Sequence, residues 1–292
     1  MDPSQKPRMI SALKREIPSL SPRLAQVAKY ILDHPSDFGL DPIRRTAEKT
    51  GVSTYTLIRL AQHFGFEGFE ELRAPFRHAL VTTSAQADHP TWIAGIQEQG
   101  EMGRAQAEAA LNSLSIVQRS LHQDADKMQH VVRLLLGASH VYLTGARASH
   151  ALAYYFHYVG RMALPTLDLI PRLHGSALDD LNLAKPGDVI IAIAFAPYSR
   201  ETIDACLFAQ ERGLGLVLIS DSEIIAPEVK PDEVLVASAV TTHRFGCFAG
   251  AMALVENLLA LLIQQGSDAA QERIETYEVL RQNRGAYWSG RK

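Results

Sequence analysis

The chain has 292 residues, of which 47% are hydrophobic, and this is enough apolar material for two ordinary domain cores. Its net charge of −3 is divided unevenly: residues 1–80 carry 12 Lys and Arg against 9 Asp and Glu, whereas residues 81–292 carry 17 against 23. The basic excess of the first segment suits a polyanionic partner but does not require one. The two cysteines lie in apolar stretches and no apolar run approaches the roughly 20 residues of a membrane span, so we expect a cytoplasmic protein with neither disulfides nor a membrane partner.

Residues 1–80 contain three helix signals in succession. The first begins at Ser21 and the second at Asp41, each of which is an N-cap residue followed directly by proline. Gly51 ends the short second helix, because glycine readily adopts the left-handed geometry of a helix end, and Ser53 then caps the third helix. Two helices joined by a tight glycine turn predict an all-α helix-turn-helix domain, which would bind double-stranded operator DNA.

The third helix of this domain carries the residues that we predict to contact DNA. Its apolar positions fall on one side, and the outer side is predicted to present Thr54, Tyr55, Thr56 and Arg59. Arg59 can reach guanine or a phosphate, and the hydroxyl groups can bond base edges or the backbone. Ser53, at the helix start, is better placed for a phosphate. By spacing alone, a plain three-helix bundle with a solvated charged face is the alternative.

Beyond Gly137 the pattern changes to short apolar runs separated by helical stretches. Such runs are typical of parallel strands that are covered on both faces. We therefore predict an α/β doubly wound, flavodoxin-like domain with a parallel sheet, whose ligand should lie at the carboxyl ends of the strands. The predicted strands are 140–144, 166–170, 188–195, 214–220 and 233–237.

The predicted domain plan has four parts. They are a helix-turn-helix domain at 1–80, a helical linker at 81–125, an effector-binding domain at 126–265 and a helical tail at 266–292. A small and polar stretch at 82–88 marks the predicted hinge after the first domain. We expect a homodimer or homotetramer, because one recognition helix reads too few bases for useful specificity.

Two loops that follow predicted strands would hold a small anionic metabolite. The first runs from Gly145 through Arg147 to Ser149 and opens a helix, so free amides and a hydroxyl group converge there. The second loop begins the next helix with Ser199, Arg200 and Thr202. Simple capping of that helix is the alternative role for the two hydroxyl groups. The second and third glycines of the dinucleotide fingerprint are missing, so we expect no NAD. We also expect no other cofactor and no metal.

Three stretches of the first domain carry a family resemblance. They read LSPRLAQVAKYIL at 20–32, AEKTGVS at 47–53 and RLAQHFGFEGFEEL at 59–72. These stretches resemble the amino-terminal domain of the MurR/RpiR family, whose pattern has an Arg, a Gly-Phe and a second Gly-Phe or Gly-Tyr followed by Leu. The resemblance implies a DNA-binding transcriptional regulator.

Residues 126–265 resemble the sugar isomerase (SIS) domain that these regulators carry. The resemblance implies a phosphosugar effector, with Ser149 as the phosphate ligand of the first loop and with Ser199 and Thr202 in the second loop. The family's Ser-x-Ser-Gly series is replaced here by Ala-Phe-Ala-Pro at 194–197. Each lost charge-assisted hydrogen bond is worth about 1.5–3 kcal/mol. Replacement charge could come from Arg147, Arg172, His174 and Arg200, or the effector could be a carboxylate.

Isomerases of the same fold move protons with a carboxylate and a histidine. The alternative to a regulator is therefore a sugar-phosphate isomerase, in which Glu201 would act with His157, His174 or His243. The attached helix-turn-helix makes catalysis unnecessary. We therefore expect no catalytic residue and no enzymatic activity.

Overall fold

The computed structural model describes residues 5–84, 100–173, 175–239, 246–286 and 288. The chain forms two compact units, one comprising Met1–Ala94 with Ser222–Glu228 and the other Gly95–Asp221 with Val229–Lys292. Across the described ranges, no single helix is long and apolar enough to cross a membrane. The helices at 249–264 and 268–283 reach that length and hydropathy only as a pair, and the pair is sharply bent.

The described part of the first unit is helical, as the sequence predicts. Its elements are α1 (Gln5–Glu16), a 3-10 turn (Ile17–Ser19), α2 (Pro22–Asp33), α3 (Pro35–Leu40), α4 (Ile43–Thr50), α5 (Thr54–His63) and α6 (Phe69–Ser84). Helices α1 and α3 were not among the predicted elements. The hinge expected from residue 82 is wrong at its start, because 82–84 still belong to α6, and its remainder at 85–88 lies outside the described residues.

Aromatic and aliphatic side chains from several helices form the core of the first unit. The Phe38 ring of α3 packs edge-on against Phe69 and Phe76 of α6, with centroids 5.4 and 5.1 Å apart. Leu57 and Leu60 bury the inner side of α5 in the same cluster. The orientation of α5 is thus set by side chains that are separated from it in sequence.

The second unit alternates helices with strands. Its described helices are α7 (Gly100–Leu121), α8 (Ala125–Gly137), α9 (Ser149–Gly160), α10 (Ala177–Leu181), α11 (Arg200–Glu211), α12 (Ala249–Gln264) and α13 (Asp268–Asn283). Its described strands are β1 (Val141–Thr144), β2 (Leu167–Ile170), β3 (Val189–Ala194), β4 (Gly215–Ser220) and β5 (Glu233–Val236). Each predicted strand is present within one or two residues of its expected bounds.

The five strands form one parallel sheet in the order β2-β1-β3-β4-β5. Strands β1 and β3 are buried along their whole length, which explains their uninterrupted apolar sequences. The predicted α/β doubly wound class is therefore confirmed. Strands β2 and β3 lie on opposite sides of β1, so the direction in which the chain adds strands reverses between β1 and β3. In sheets of this kind, a crevice opens beyond the carboxyl ends of the two strands at the reversal.

Candidate functional sites

The turn between α4 and α5 has the geometry that a helix-turn-helix requires. Gly51 is left-handed, with φ 65° and ψ 23°. Its N–H donates to the Glu48 carbonyl at 3.2 Å, and the Val52 N–H donates to the Ala47 carbonyl at 3.2 Å. This pair of bonds satisfies the last carbonyls of α4 and reverses the chain within a few residues. Ser53 then caps α5, its hydroxyl oxygen accepting from the Thr56 N–H at 3.3 Å.

Four of the five predicted DNA-contacting residues lie on the surface of the first unit. Ser53, Thr54 and Arg59 are exposed, and Tyr55 has 67% of its surface exposed. Within the described part of the chain, Arg59 has no ion pair or side-chain hydrogen bond. A large aromatic and a cation are thus both available to a partner on the outer side of α5.

The prediction that Thr56 lies on the outer side is wrong. Its side chain is only 9% exposed, and its hydroxyl lies 3.0 Å from the Ser53 hydroxyl. Thr56 is four residues before the buried Leu60, so helical periodicity places both on the inner side of α5. Thr56 therefore supports the cap of the helix and is not available to DNA in this structure.

The sequence analysis missed two exposed polar residues of the helix-turn-helix, one on each of its helices. Gln62 is exposed and follows Tyr55 and Arg59 at the spacing of one helical face, three residues after the arginine. A glutamine on such a face can bond adenine in the major groove. Arg44, in the first turn of α4, is exposed and has no side-chain partner among the described residues. The 3.6-residue period, extended by one turn beyond Arg59, would have identified Gln62.

The two predicted effector loops meet at one cavity of about 370 Å³ beyond β1 and β3. This cavity, called the effector cavity below, also includes residues from the segment before α12. It is lined by Ala146, Arg147, Ala148, Ser149, Ile193, Ala194, Phe195, Ala196, Pro197, Ser199, Thr202, Gly246 and Phe248. The volume suits a small metabolite.

Two buried residues that carry hydroxyl groups line the effector cavity at the start of its two helices. Ser149 in the first turn of α9 is 6% exposed, and Thr202 in the first turn of α11 is 2% exposed. Neither side chain has a hydrogen-bond partner among the described residues. Both hydroxyl groups can therefore bond a ligand in the cavity. The free amides and positive dipole ends of the helices favour an anionic one.

The capping alternative for the second loop finds no support in the described hydrogen bonds. Ser199 occupies the N-cap position of α11, but its side chain makes no capping bond and donates instead to the Glu201 carboxylate at 3.3 Å. The simple capping role is thus absent at Ser199, and Thr202 is already inside the helix.

The first loop is shaped by Gly145 and Arg147. A Cβ atom at Gly145 would lie 3.0 Å from the Ser149 carbonyl oxygen and 3.3 Å from the Ile193 carbonyl oxygen, so the loop can pass this close to α9 and β3 only with glycine there. Arg147 has a positive φ of 56°, which is uncommon for a residue with a side chain. It lines the cavity and has no ion pair among the described residues. Its guanidinium is thus available for an anion.

The other three predicted sources of positive charge do not share the position of Arg147 in the described structure. Arg200 does not line the effector cavity: its side chain is 92% exposed and approaches Asp204, one helical turn along α11, at 3.7 Å. Arg172 is engaged by Asp180 at 2.8 Å and Asp168 at 3.5 Å, and these bonds raise the pKa of its guanidinium. His174 lies outside the described residues.

Large apolar side chains also line the effector cavity. Phe195 and Phe248 meet edge-to-face with centroids 5.1 Å apart, and Pro197 is a further apolar member of the lining. The backbone N–H of Ala196 donates to the Asp221 carboxylate, with both oxygens at 3.3 Å. Phe248 was missed by the sequence analysis because it lies about fifty residues beyond the second loop, and only the folded sheet brings it there.

The residues proposed for an isomerase are not assembled. The His157 ring is hydrogen-bonded to the backbone of Leu167, the first residue of β2, and therefore lies towards the amino ends of the strands. Glu201 lies at the start of α11, beyond the carboxyl end of β3, and does not line the effector cavity. The two groups are thus at opposite edges of the sheet. His174 and His243 lie outside the described residues.

The fold and these sites define a helix-turn-helix protein with an attached SIS domain. Residues 9–82 match the family model described as the helix-turn-helix domain of the rpiR family, and residues 134–263 match the SIS domain. The chain belongs to the RpiR family of transcriptional regulators, and the resemblance seen in its sequence is confirmed.

Known proteins with similar chains span nearly the whole length of this one. The HTH-type transcriptional regulator TTE0211 of Caldanaerobacter subterraneus is 24% identical over 280 residues, covering 93% of this chain and 96% of its own. The HTH-type transcriptional regulator YfhH of Escherichia coli is 24% identical over 274 residues, covering 87% and 92%.

Two solved structures share the fold. The Vibrio vulnificus NanR protein, solved with ManNAc-6P, has a TM-score of 0.52 at 22% identity and covers 93% of this chain and 97% of its own. The sugar isomerase domain of the RpiR transcription factor from Sphaerobacter thermophilus has a TM-score of 0.53 at 23% identity, covering 60% and 98%.

Proposed function

We propose that the protein binds operator DNA through α5 and that a small anionic metabolite in the effector cavity controls this binding. A phosphosugar is the first candidate, since the structurally similar NanR protein was solved with ManNAc-6P. Binding would shift the packing of SIS domains within a homodimer or homotetramer, and with it the spacing of the paired recognition helices. The proposal includes no catalytic step.

The observation that carries the effector half is the pair of hydroxyl groups of the buried residues Ser149 and Thr202, which have no partner among the described residues. Both residues line one cavity from two helix starts, and Arg147 belongs to the same lining. Three donors of this kind, together with helix amides, are suited to oxygen atoms of a phosphate or carboxylate. Among the described residues, the alternative isomerase has no comparable arrangement, because Glu201 and His157 are apart; His174 and His243 lie outside them.

The DNA half rests on the exposed outer side of α5. Tyr55, Arg59 and Gln62 share one helical face, and Ser53 lies at its amino end. Side chains on such a face contact base edges when the helix enters the major groove, while residues at the helix start contact phosphates. The proposal therefore assigns base contacts to Tyr55, Arg59 and Gln62.

A binding-selected pool of duplexes tests the DNA half directly. We expect retardation of the selected duplex to weaken linearly in log affinity against log salt concentration. Arg59→Ala should lower the affinity by about 1–3 kcal/mol at constant salt and relax the base preference at one position. Arg200→Ala, which also removes an exposed arginine, is the matched control and should leave affinity unchanged. Equal affinity of the wild type and Arg59→Ala would refute the assignment.

The effector half is tested by thermal stability with added anions. A ligand present at 100 times its Kd stabilises the folded protein by about 2.7 kcal/mol. We expect at least one phosphate or carboxylate metabolite to raise the Tm of the wild type and to alter retardation of the selected duplex. Ser149→Ala should lose both responses while keeping DNA binding without ligand. A Tm response that is unchanged in this variant would place the ligand elsewhere.

A further inference from the structure

The effector cavity is lined by two chemically different sets of side chains. Ser149, Thr202 and Arg147 can all donate hydrogen bonds to an anion. Phe195, Phe248 and Pro197 are apolar, and the first two meet edge-to-face. An occupant that satisfies both sets must itself have a charged part and an apolar part.

Few hydrogen-bonding side chains of the described lining remain for anything beyond the anion. Among these residues, the only other polar side chain is Ser199, whose hydroxyl is already directed to the Glu201 carboxylate at 3.3 Å. The backbone N–H of Ala196 is directed to Asp221. Against this described lining, a ligand with several hydroxyl groups would bury some of them against carbon, and each unpaired group would weaken binding by about ten-fold or more.

Phe195 and Phe248, called the aromatic wall below, contact each other directly. Phe195 follows β3 directly and is 6% exposed, and its ring meets that of Phe248 at 87° and 5.1 Å. Edge-to-face packing of this kind holds both rings, so they present carbon surface to the cavity without a change of rotamer. Ala194 and Ile193 add further apolar surface on the β3 side.

We infer that the effector is a phosphate or carboxylate carried on an apolar, ring-sized body rather than on a polyhydroxylated sugar. Its anion binds Ser149, Thr202 and Arg147, and its body packs on Phe195 and Phe248. The cavity volume of about 370 Å³ accommodates an anion and one such body. This inference rests on the proposed control of DNA binding by an anionic ligand, and it replaces the phosphosugar as the first candidate for that ligand.

Matched pairs of probes test the inference on the full-length protein. Phenyl phosphate and glucose 6-phosphate each combine one phosphate with a six-membered ring, but the sugar ring carries hydroxyl groups and bears its phosphate through a methylene group. Phenylacetate and gluconate compare an apolar ring with an open polyhydroxylated chain, each carrying one carboxylate. Inorganic phosphate reports binding of the anion alone. We expect calorimetric titration to give at least ten-fold tighter binding of phenyl phosphate or phenylacetate than of its hydroxylated counterpart. The arm with the tighter binding identifies the anion.

Substitutions at the aromatic wall separate its role from general folding. Phe248→Leu keeps an apolar side chain and Phe248→Ala removes most of it, so affinity for the phenyl probe should fall in steps, to about one tenth in the alanine variant. Inorganic phosphate should bind all three proteins equally, which also shows that they are folded. Tyr154→Ala removes an exposed aromatic of α9 that does not line the cavity, and should change neither affinity.

The outcomes distinguish this inference from the proposed function. Equal or tighter binding of glucose 6-phosphate or gluconate than of the phenyl probe overturns the inference and leaves an anion-controlled regulator standing. Unchanged phenyl-probe affinity in Phe248→Ala overturns the assigned location of the body. Failure of every probe to bind overturns the inference, while the effector half of the proposed function is judged by its own thermal-stability test and the DNA half by retardation.

Discussion

Replacing Gly51 by alanine tests the turn geometry of the DNA-binding unit. The new Cβ would meet nothing within 4 Å, so the effect comes from the left-handed backbone alone. Left-handed geometry costs a residue with a side chain about 1–2 kcal/mol, and reduced freedom of the unfolded chain returns about 0.4–1 kcal/mol. The free energy of opening the helix-turn-helix should therefore fall by about 1 kcal/mol, so the open form should be populated about five times more often.

Hydrogen exchange measured by mass spectrometry can follow this opening within the full chain. Peptides from residues 43–63 should exchange about five-fold faster in Gly51→Ala, whereas Gly51→Asn should be milder because asparagine tolerates left-handed geometry. Gly137→Ala is the matched control: its Cβ also meets nothing within 4 Å and its φ is not left-handed, so residues 125–137 should exchange no faster. Unchanged exchange in Gly51→Ala, or a larger effect of asparagine, would refute the strain argument.

Three further predictions concern stability and reactivity. The buried Arg73 donates to the Asp41 carbonyl at 2.7 Å, so Arg73→Met should destabilise the first unit by about 1–3 kcal/mol in the same exchange experiment; no change would show the bond to be dispensable. Burial raises the pKa of the Cys206 thiol to about 12, so iodoacetamide at pH 8 should label it only after unfolding, and rapid labelling of the folded protein would contradict its burial. Burial, helped by Arg161, lowers the pKa of His157 below its unfolded value, so its neutral form is favoured on folding and stability is lost as pH falls through about 6.5. His157→Gln should lose less stability than the wild type between pH 7 and 5, measured by urea titration, and an equal loss would exclude this residue as a cause.

The strands of the second unit could be predicted because each is short and almost wholly apolar. Strand β3 carries six consecutive apolar residues and is buried throughout, so its sequence reflects coverage on both faces. Helix α1 was missed for the opposite reason. Its segment from Gln5 to Glu16 is mostly polar, and it is held by burial of Met9 and Leu13 in the core of the unit.

The candidate sites were predicted to the extent that they are local in sequence. The loops around Ser149 and Ser199 follow apolar strands directly, so chain order alone places them at one edge of a parallel sheet. Phe248 could not be found in this way because its contact with Phe195 joins distant parts of the chain. Thr56 was assigned wrongly because a hydroxyl at the start of a helix was treated as exposed without tracing the helical period from Leu60.

The position of the effector cavity at the reversal of strand order separates recognition from folding. The chemistry of residues 194–197 and 246–248 can vary while β1 and β3 keep the pairing between Val141 and Val189 that holds the sheet. Under the proposed function, the ligand could therefore change between relatives without rebuilding their cores. Agreement between two relatives at these few lining positions should then be a better guide to a common effector than their overall identity.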